Sequence, residues 1–235
     1  MQYDLTPNHP LSMQVHQVGT ERQPVIVVDD FLRFPQAMVD FAANGSPFGT
    51  LATQYPGVGA AVPAAYPQIL AKSLAALVGS TFGVKPETGQ IVTSFFGIVT
   101  TPPENLNPSQ RVPHVDCFNH GQIAFLQYFC DESQGGTAFY RHAATGYESM
   151  TEENQQVCVQ TEDDIRAHGP PPARYLSSDD RLYEQTAAFE AKFNRMLIYR
   201  SAILHSGIIL PGTRLDPDPR IGRLTTNTFV AFAPA

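Results

Sequence analysis

Apolar and polar positions along this chain fall into two regimes that meet near residue 89. In the first, Pro24 to Phe31 (PVIVVDDF) is a short β-branched run that reads as a buried strand. Phe34 to Ala43 sets Phe34, Met38, Val39 and Phe41 at helical spacing and stops before Asn44-Gly45. Ser46 to Pro63 is rich in glycine and proline and predicts a loop. Pro67 to Phe82, with apolar residues at 69, 70, 74, 76 and 77, predicts the best helix of the chain. Residues 1–88 are therefore expected to provide mainly helical support.

From Gly89 onward the pattern shortens toward strands. Gln90 to Thr100, Gln122 to Cys130, Asn194 to Tyr199 and Arg223 to Phe232 are β-branched or aromatic. Gly135-Gly136-Thr137 predicts a turn into Ala138-Phe139-Tyr140. Ala144 to Ser178 reads as one long loop, irregular from Asp163 because it carries three consecutive prolines. Asp179 to Lys192 predicts a helix with Asp179 near its cap. Helices first, then many short strands without βαβ alternation, point to an α+β fold with an antiparallel barrel or sandwich.

Composition narrows the function classes. The 235 residues are 43% apolar and 16% charged, which describes a globular chain. A net charge of −7 with no Lys/Arg cluster excludes the basic stripe that nucleic acid requires. Cys117, Cys130 and Cys158 are odd in number and lack CxxC spacing, which suits a reducing compartment. The opening MQYDLTPNHPLSMQ has no signal-peptide pattern, and no apolar run approaches the ~20 residues of a membrane span. The expectation is a cytoplasmic protein with no membrane or nucleic-acid partner. Its helical N-terminal third offers a face for a homodimer.

Candidate chemistry begins at His114-Val115-Asp116, an imidazole and a carboxylate at i and i+2. On extended backbone the two share a face and can reach one ion. His205, beyond the strand NRMLIY, would complete a set of two His and one carboxylate that leaves open positions on an octahedral Fe(II). HxD alone recurs by chance, and a single buried histidine is more often structural, so the combination carries the weight. Arg223 opens the last strand, and Thr225 and Asn227 share its face. A guanidinium there would match a carboxylate, with Arg220 in the DPDPRIG loop as its competitor. His120, Arg141, His142 and Cys117 are secondary candidates near the motif or the GGTAFY turn.

The succession RVPHVD, QIAFLQYF, GGTAFY, NRMLIYRSAILHSG and RLTTNTFVAF resembles 2-oxoglutarate/Fe(II)-dependent oxygenases of the prolyl-hydroxylase-like group. The likeness runs from Gln90 to about Ala233, and VIVVDDFLRFPQAMVDFA resembles their lead-in. It implies one oxygenase domain over residues 1–235 with a double-stranded β-helix (jelly-roll) core over 89–235 and helices against one sheet. His114, Asp116 and His205 would hold Fe(II), and Arg223 would pair with 2-oxoglutarate. Phe125 and Gln127 would point inward and Tyr128 outward, with Gln127 standing where relatives often place a tyrosine against the cosubstrate. The implied activity is hydroxylation of a small-molecule, amino-acid or peptidyl substrate. Two rivals are a cupin-like metal enzyme without 2-oxoglutarate and a non-catalytic jelly-roll binding protein.

Overall fold

The computed structural model describes residues 3–45, 47–51 and 53–235. Met1 and Gln2, at the start of the segment searched for a signal pattern, and Ser46 and Ala52, inside the predicted 46–63 loop, lie outside the described residues. The elements begin with β1 (Ser12–Val18), β2 (Gln23–Asp29), α1 (Gln36–Asn44), β3 (Gly49–Thr50), β4 (Gly57–Ala61) and α2 (Tyr66–Phe82). Then come β5 (Gln90–Val99), β6 (Gln122–Tyr128), β7 (Gly136–His142) and α3 (Gln156–His168). The chain closes with β8 (Tyr183–Glu190), β9 (Met196–Arg200), β10 (His205–Ile208) and β11 (Leu224–Ala231).

The result is a mixed, sheet-rich fold with few helices. A large antiparallel sheet runs in the order β1-β2-β9-β6-β11-β5-β4-β3, and a small one in the order β10-β7-β8. Helix α2 exists because Leu70, Leu74, Val78 and Phe82 recur every four residues and bury completely or nearly so. Each such side chain contributes roughly 1.5–3 kcal/mol of burial. Gly83 ends the helix at φ +62°, a left-handed position that costs glycine little.

Period-two alternation assigns the two faces of the large sheet. Ile26, Val28, Ile123, Phe125, Met196 and Ile198 point to α1 and α2 and form the main core. Their neighbours Val25, Val27, Ala124, Leu126, Leu197 and Tyr199 point the other way, where Phe139 of β7 and Ile203 meet them. The sheets thus face each other across a second core, and a one-residue slip of β6 would exchange the two.

Several expectations need correction. Among the described residues up to 88 there are four strands as well as two α-helices, and those strands form both edges of the large sheet. The predicted 46–63 loop holds β3 and β4. Within the predicted 144–178 loop lies α3, a polar helix whose buried residues are only Val157 and Thr161. The predicted helix over 179–192 is instead strand β8, whose alternating half-exposed residues pair with β7 at the sheet edge. Pairing overrode the helix propensity of its Glu, Gln and Ala residues.

Gln127 also needs correction: its side chain faces the helices, away from the space between the sheets. It accepts from Tyr66 Oη at 2.6 Å and donates to Asn194 Oδ1 at 2.8 Å. Asn194 in turn bonds both backbone groups of Leu32, and Thr226 shares a 2.9 Å hydrogen bond with Tyr66. Residue parity follows directly, so Tyr128 is the side chain turned toward the small sheet.

Candidate active site

His114 and His205 come together through the backbone. The two residues exchange hydrogen bonds, each N–H donating to the other's carbonyl at 2.9 Å, as in an antiparallel bridge. Directly opposed residues of such a bridge project to the same side, which stacks the two rings with centroids 4.5 Å apart. Two residues on, Asp116 N–H donates to Ser201 O at 2.8 Å and fixes the turn that brings the carboxylate back.

The three side chains converge. Asp116 Oδ1 lies 3.8 Å from His114 Nε2, and Oδ2 lies 3.7 Å from His205 Nε2. One ligand atom from each residue lies within 4.8 Å of the others. His205 Nδ1 is 2.8 Å from Ile203 O. A carbonyl only accepts, so Nδ1 carries the proton and Nε2 keeps its lone pair toward Asp116.

Burial adjusts these groups for cation binding. Desolvation pushes His205, 7% exposed, down to about 4. His114 goes down to about 4 through desolvation and the neighbouring His205; with 54% of its side chain open, the desolvation comes from the protein on one side of the ring. Burial raises Asp116 to about 6, with His114 acting against it. At neutral pH the set is two neutral imidazoles and a carboxylate, donors suited to a divalent first-row metal. Asymmetric exposure leaves the His114 side of the centre open to the outside.

Arg223 lies near the same strand as His205. A Cβ at Gly207, two residues beyond His205 on β10, would sit 3.7 Å from Arg223 Nη2. Two residues along a strand span roughly 7 Å. Arg223 is 4% exposed, donates to Gln134 O and Gly136 O, and lies 5.5 Å from the Tyr128 ring centroid. Among the described residues it has no carboxylate partner and Nη1 has no acceptor.

Its titratable neighbours do not supply a charge either. Burial pushes the Cys130 thiol up to about 11 and Tyr128 up to about 12, while Tyr199, Tyr175 and Tyr55 also rise. A buried guanidinium among neutral groups is an expensive arrangement unless an anion joins it.

The remaining sequence candidates separate cleanly. Thr225 is buried on the Arg223 face and accepts from Asn227 Nδ2 at 3.2 Å, so both belong to this wall. Arg220 is exposed and pairs with Asp218, outside the wall. Arg141 is held by Glu184, and His142 packs on Tyr183 against the outer core of the small sheet. Cys117 has its thiol raised by burial and bonded to Asn119 O, and the His120 carbonyl receives Arg200.

Sequence reasoning missed Tyr128, Tyr199 and Tyr55. Tyr199 packs edge-on against His205 at 4.9 Å and is influenced by both Asp116 and Arg223, so it lies between the two halves of the site. Correct alternation in NRMLIY could have identified it. Nothing in the sequence marks Tyr55.

The profile of the family of unknown function DUF6445 matches residues 9–230. The chain belongs to this family. No curated protein matches it by sequence. Solved structures similar to this DUF6445 chain include an N-substituted L-amino acid dioxygenase from Burkholderia ambifaria AMMD. That protein is 10% identical, with a TM-score of 0.45, and the match covers 95% of this chain and 98% of that one. HygX from Streptomyces hygroscopicus, with nickel and 2-oxoglutarate bound, is 10% identical at a TM-score of 0.48, covering 90% and 84%. EctD from S. alaskensis, with 2-oxoglutarate and 5-hydroxyectoine, is 10% identical at a TM-score of 0.44, covering 98% and 87%. Likeness at this level leaves the chemistry of the DUF6445 site to its own residues. No described helix is long and apolar enough to cross a membrane.

Proposed function

We propose that this chain is a non-haem Fe(II)- and 2-oxoglutarate-dependent oxygenase built on a double-stranded β-helix. The observation that carries this is the buried, carboxylate-free Arg223 placed two strand positions from His205 of a His-Asp-His cluster. A metal site alone would not need a buried cation nearby. A short dicarboxylate able to reach both would satisfy the ligand set and the guanidinium at once.

In this reading His114, Asp116 and His205 hold Fe(II), and Arg223 holds the far carboxylate of 2-oxoglutarate. Bound iron would supply the oxygen chemistry that hydroxylates an unactivated C–H bond. The protein's own part is positioning. The Ile203 carbonyl fixes the His205 tautomer, and the bridge between residues 114 and 205 fixes both rings. Tyr128, Tyr199 and Phe139 wall the space between the sheets and limit the water that reaches it. The open side at His114 is where a small-molecule, amino-acid or peptidyl substrate would approach.

Anaerobic titration with Fe(II) and then 2-oxoglutarate tests the proposal. A weak visible charge-transfer band that forms with the wild type and disappears in Arg223→Leu is the expected result. Iron binding without a band, at any keto-acid concentration, would point instead to a metal enzyme that does not use 2-oxoglutarate. No iron binding would leave a non-catalytic barrel.

A further inference from the structure

Four strands end the two sheets, and three of them are protected as edges. Strand β3 is two residues long. Strand β8 carries Glu184 and Glu190, and a bulge interrupts its pairing with β7. Strand β10 is four residues long and meets His114 across its outer side. Strand β1 differs. Its seven residues keep an unbroken register against β2 and include no Asp, Glu, Lys, Arg or Pro. Such an edge presents a row of unpaired N–H and C=O groups with nothing to repel another strand.

Register assigns the faces of β1. Val15 lies opposite Ile26 and Met13 opposite Val28, so both extend the apolar face that α1 and α2 cover further in. Here that face is open: Met13 is 51% exposed and Val15 49%. Gln14 and His16 take the other face and line a groove with Val27, Phe189 and Arg195. His16 packs edge-on against Phe189 at 5.2 Å. The strand is also held in place before any partner arrives. Just past its end, Thr20 N–H, Thr20 Oγ and Glu21 N–H all donate to the buried Glu148 carboxylate. Little ordering entropy would therefore oppose pairing.

The strand is its own complement. A two-fold axis perpendicular to the sheet keeps each residue on the same face in both copies, so directly opposed residues must share parity. Val15 is the middle residue of Ser12–Val18, and an axis there pairs all seven positions. Val15 then opposes Val15, Met13 opposes Gln17 and Gln14 opposes His16, which gathers the exposed apolar side chains of both copies together. A chain of net charge −7 repels its own copy, and the uncharged strand adds nothing to that repulsion. We propose that this chain forms a symmetric dimer in which β1 pairs antiparallel with β1 of a second copy about a two-fold at Val15, joining the two large sheets into one. The interface involves no residue of the metal centre.

Sedimentation velocity of the full chain over a range of concentrations tests this. The wild type should pass from monomer to dimer as concentration rises, and the amides of Ser12–Val18 should gain hydrogen-exchange protection over the same range. Val15→Lys sets two ammonium groups against each other at the axis and should weaken the dimer roughly tenfold or more. Because Val15 is half exposed, its far-ultraviolet circular dichroism should match the wild type. Met13→Glu, a second variant at the same face, should act in the same direction. Phe34→Lys, at an equally exposed apolar residue just before α1, should leave the dimer intact. A chain that stays monomeric at every concentration would overturn the proposal and leave the strand to a segment of another protein. A dimer that survives both β1 substitutions, or that Phe34→Lys dissolves in their place, would overturn it too and move the interface to the helical face.

Discussion

The two faces of the large sheet bury polar side chains to opposite ends. Toward the helices, Gln127, Tyr66, Thr226 and Asn194 saturate one another and the Leu32 backbone. Toward the small sheet, Arg223 keeps a free guanidinium nitrogen and no carboxylate, and Tyr55 keeps a buried hydroxyl with no partner. Both sets line the same strands, a few ångströms apart through the backbone. A closed network fixes the register of the sheet, whereas donors left open are where the proposed cosubstrate would find its partners.

Losing a metal ligand should break the open face most severely. His205→Ala is expected to lower Fe(II) affinity by more than a hundredfold, measured by anaerobic titration, because it removes the one ligand whose tautomer is fixed by the backbone. Retained iron affinity would remove His205 from the centre.

Arg223→Leu should come next. We expect about a hundredfold loss of 2-oxoglutarate affinity with iron binding intact. Its apo stability should change by less than about 1 kcal/mol, since two lost hydrogen bonds are offset by removal of a buried charge. Strong destabilisation in urea would show that this arginine is structural, like Gln127.

Gln127→Leu inverts the pattern. It strands Tyr66 and Asn194 and should cost about 2 kcal/mol in urea denaturation while leaving the 2-oxoglutarate Kd alone. A change in cosubstrate affinity without loss of stability would return Gln127 to the site.

The smallest effect concerns a paired arginine. Arg195 bonds Asp29 with Nε and Nη2, and chiefly that hydrogen bonding holds the Asp29 carboxyl below its ordinary value. The stabilisation is present above the unfolded carboxylate range near 4 and is lost as pH falls through the lower folded value. The pair is partly exposed, so Asp29→Asn should cost under about 1 kcal/mol at pH 7, and that cost should shrink as pH falls through the lowered folded value. A cost that does not shrink as pH falls would show that the contribution is not ionic.

How much of this could be read from sequence differs from element to element. The four-residue stripe of α2 and the β-branched runs of β2, β5, β9 and β11 were visible as periodicity. Strand β6 was visible as a strand, but its parity was not. Both of its faces are covered, so QIAFLQY reads as nearly continuous apolar sequence and offers no alternation to say which side is which. That is why Gln127 and Tyr128 were exchanged. Strand β8 and helix α3 failed for the opposite reason: both are largely exposed edge elements, where few buried residues write a period into the sequence.

By itself the sequence determined the donor types and most of the strands, because side-chain chemistry and burial period are local properties. Tertiary structure alone decided that residues 114 and 205 bridge and that Arg223 is buried without a carboxylate. It also brought a tyrosine from the connection between β3 and β4 over Gly97. Each of these depends on what lies across a gap between distant segments, and whether a polar group has a partner there is a property of the assembled space.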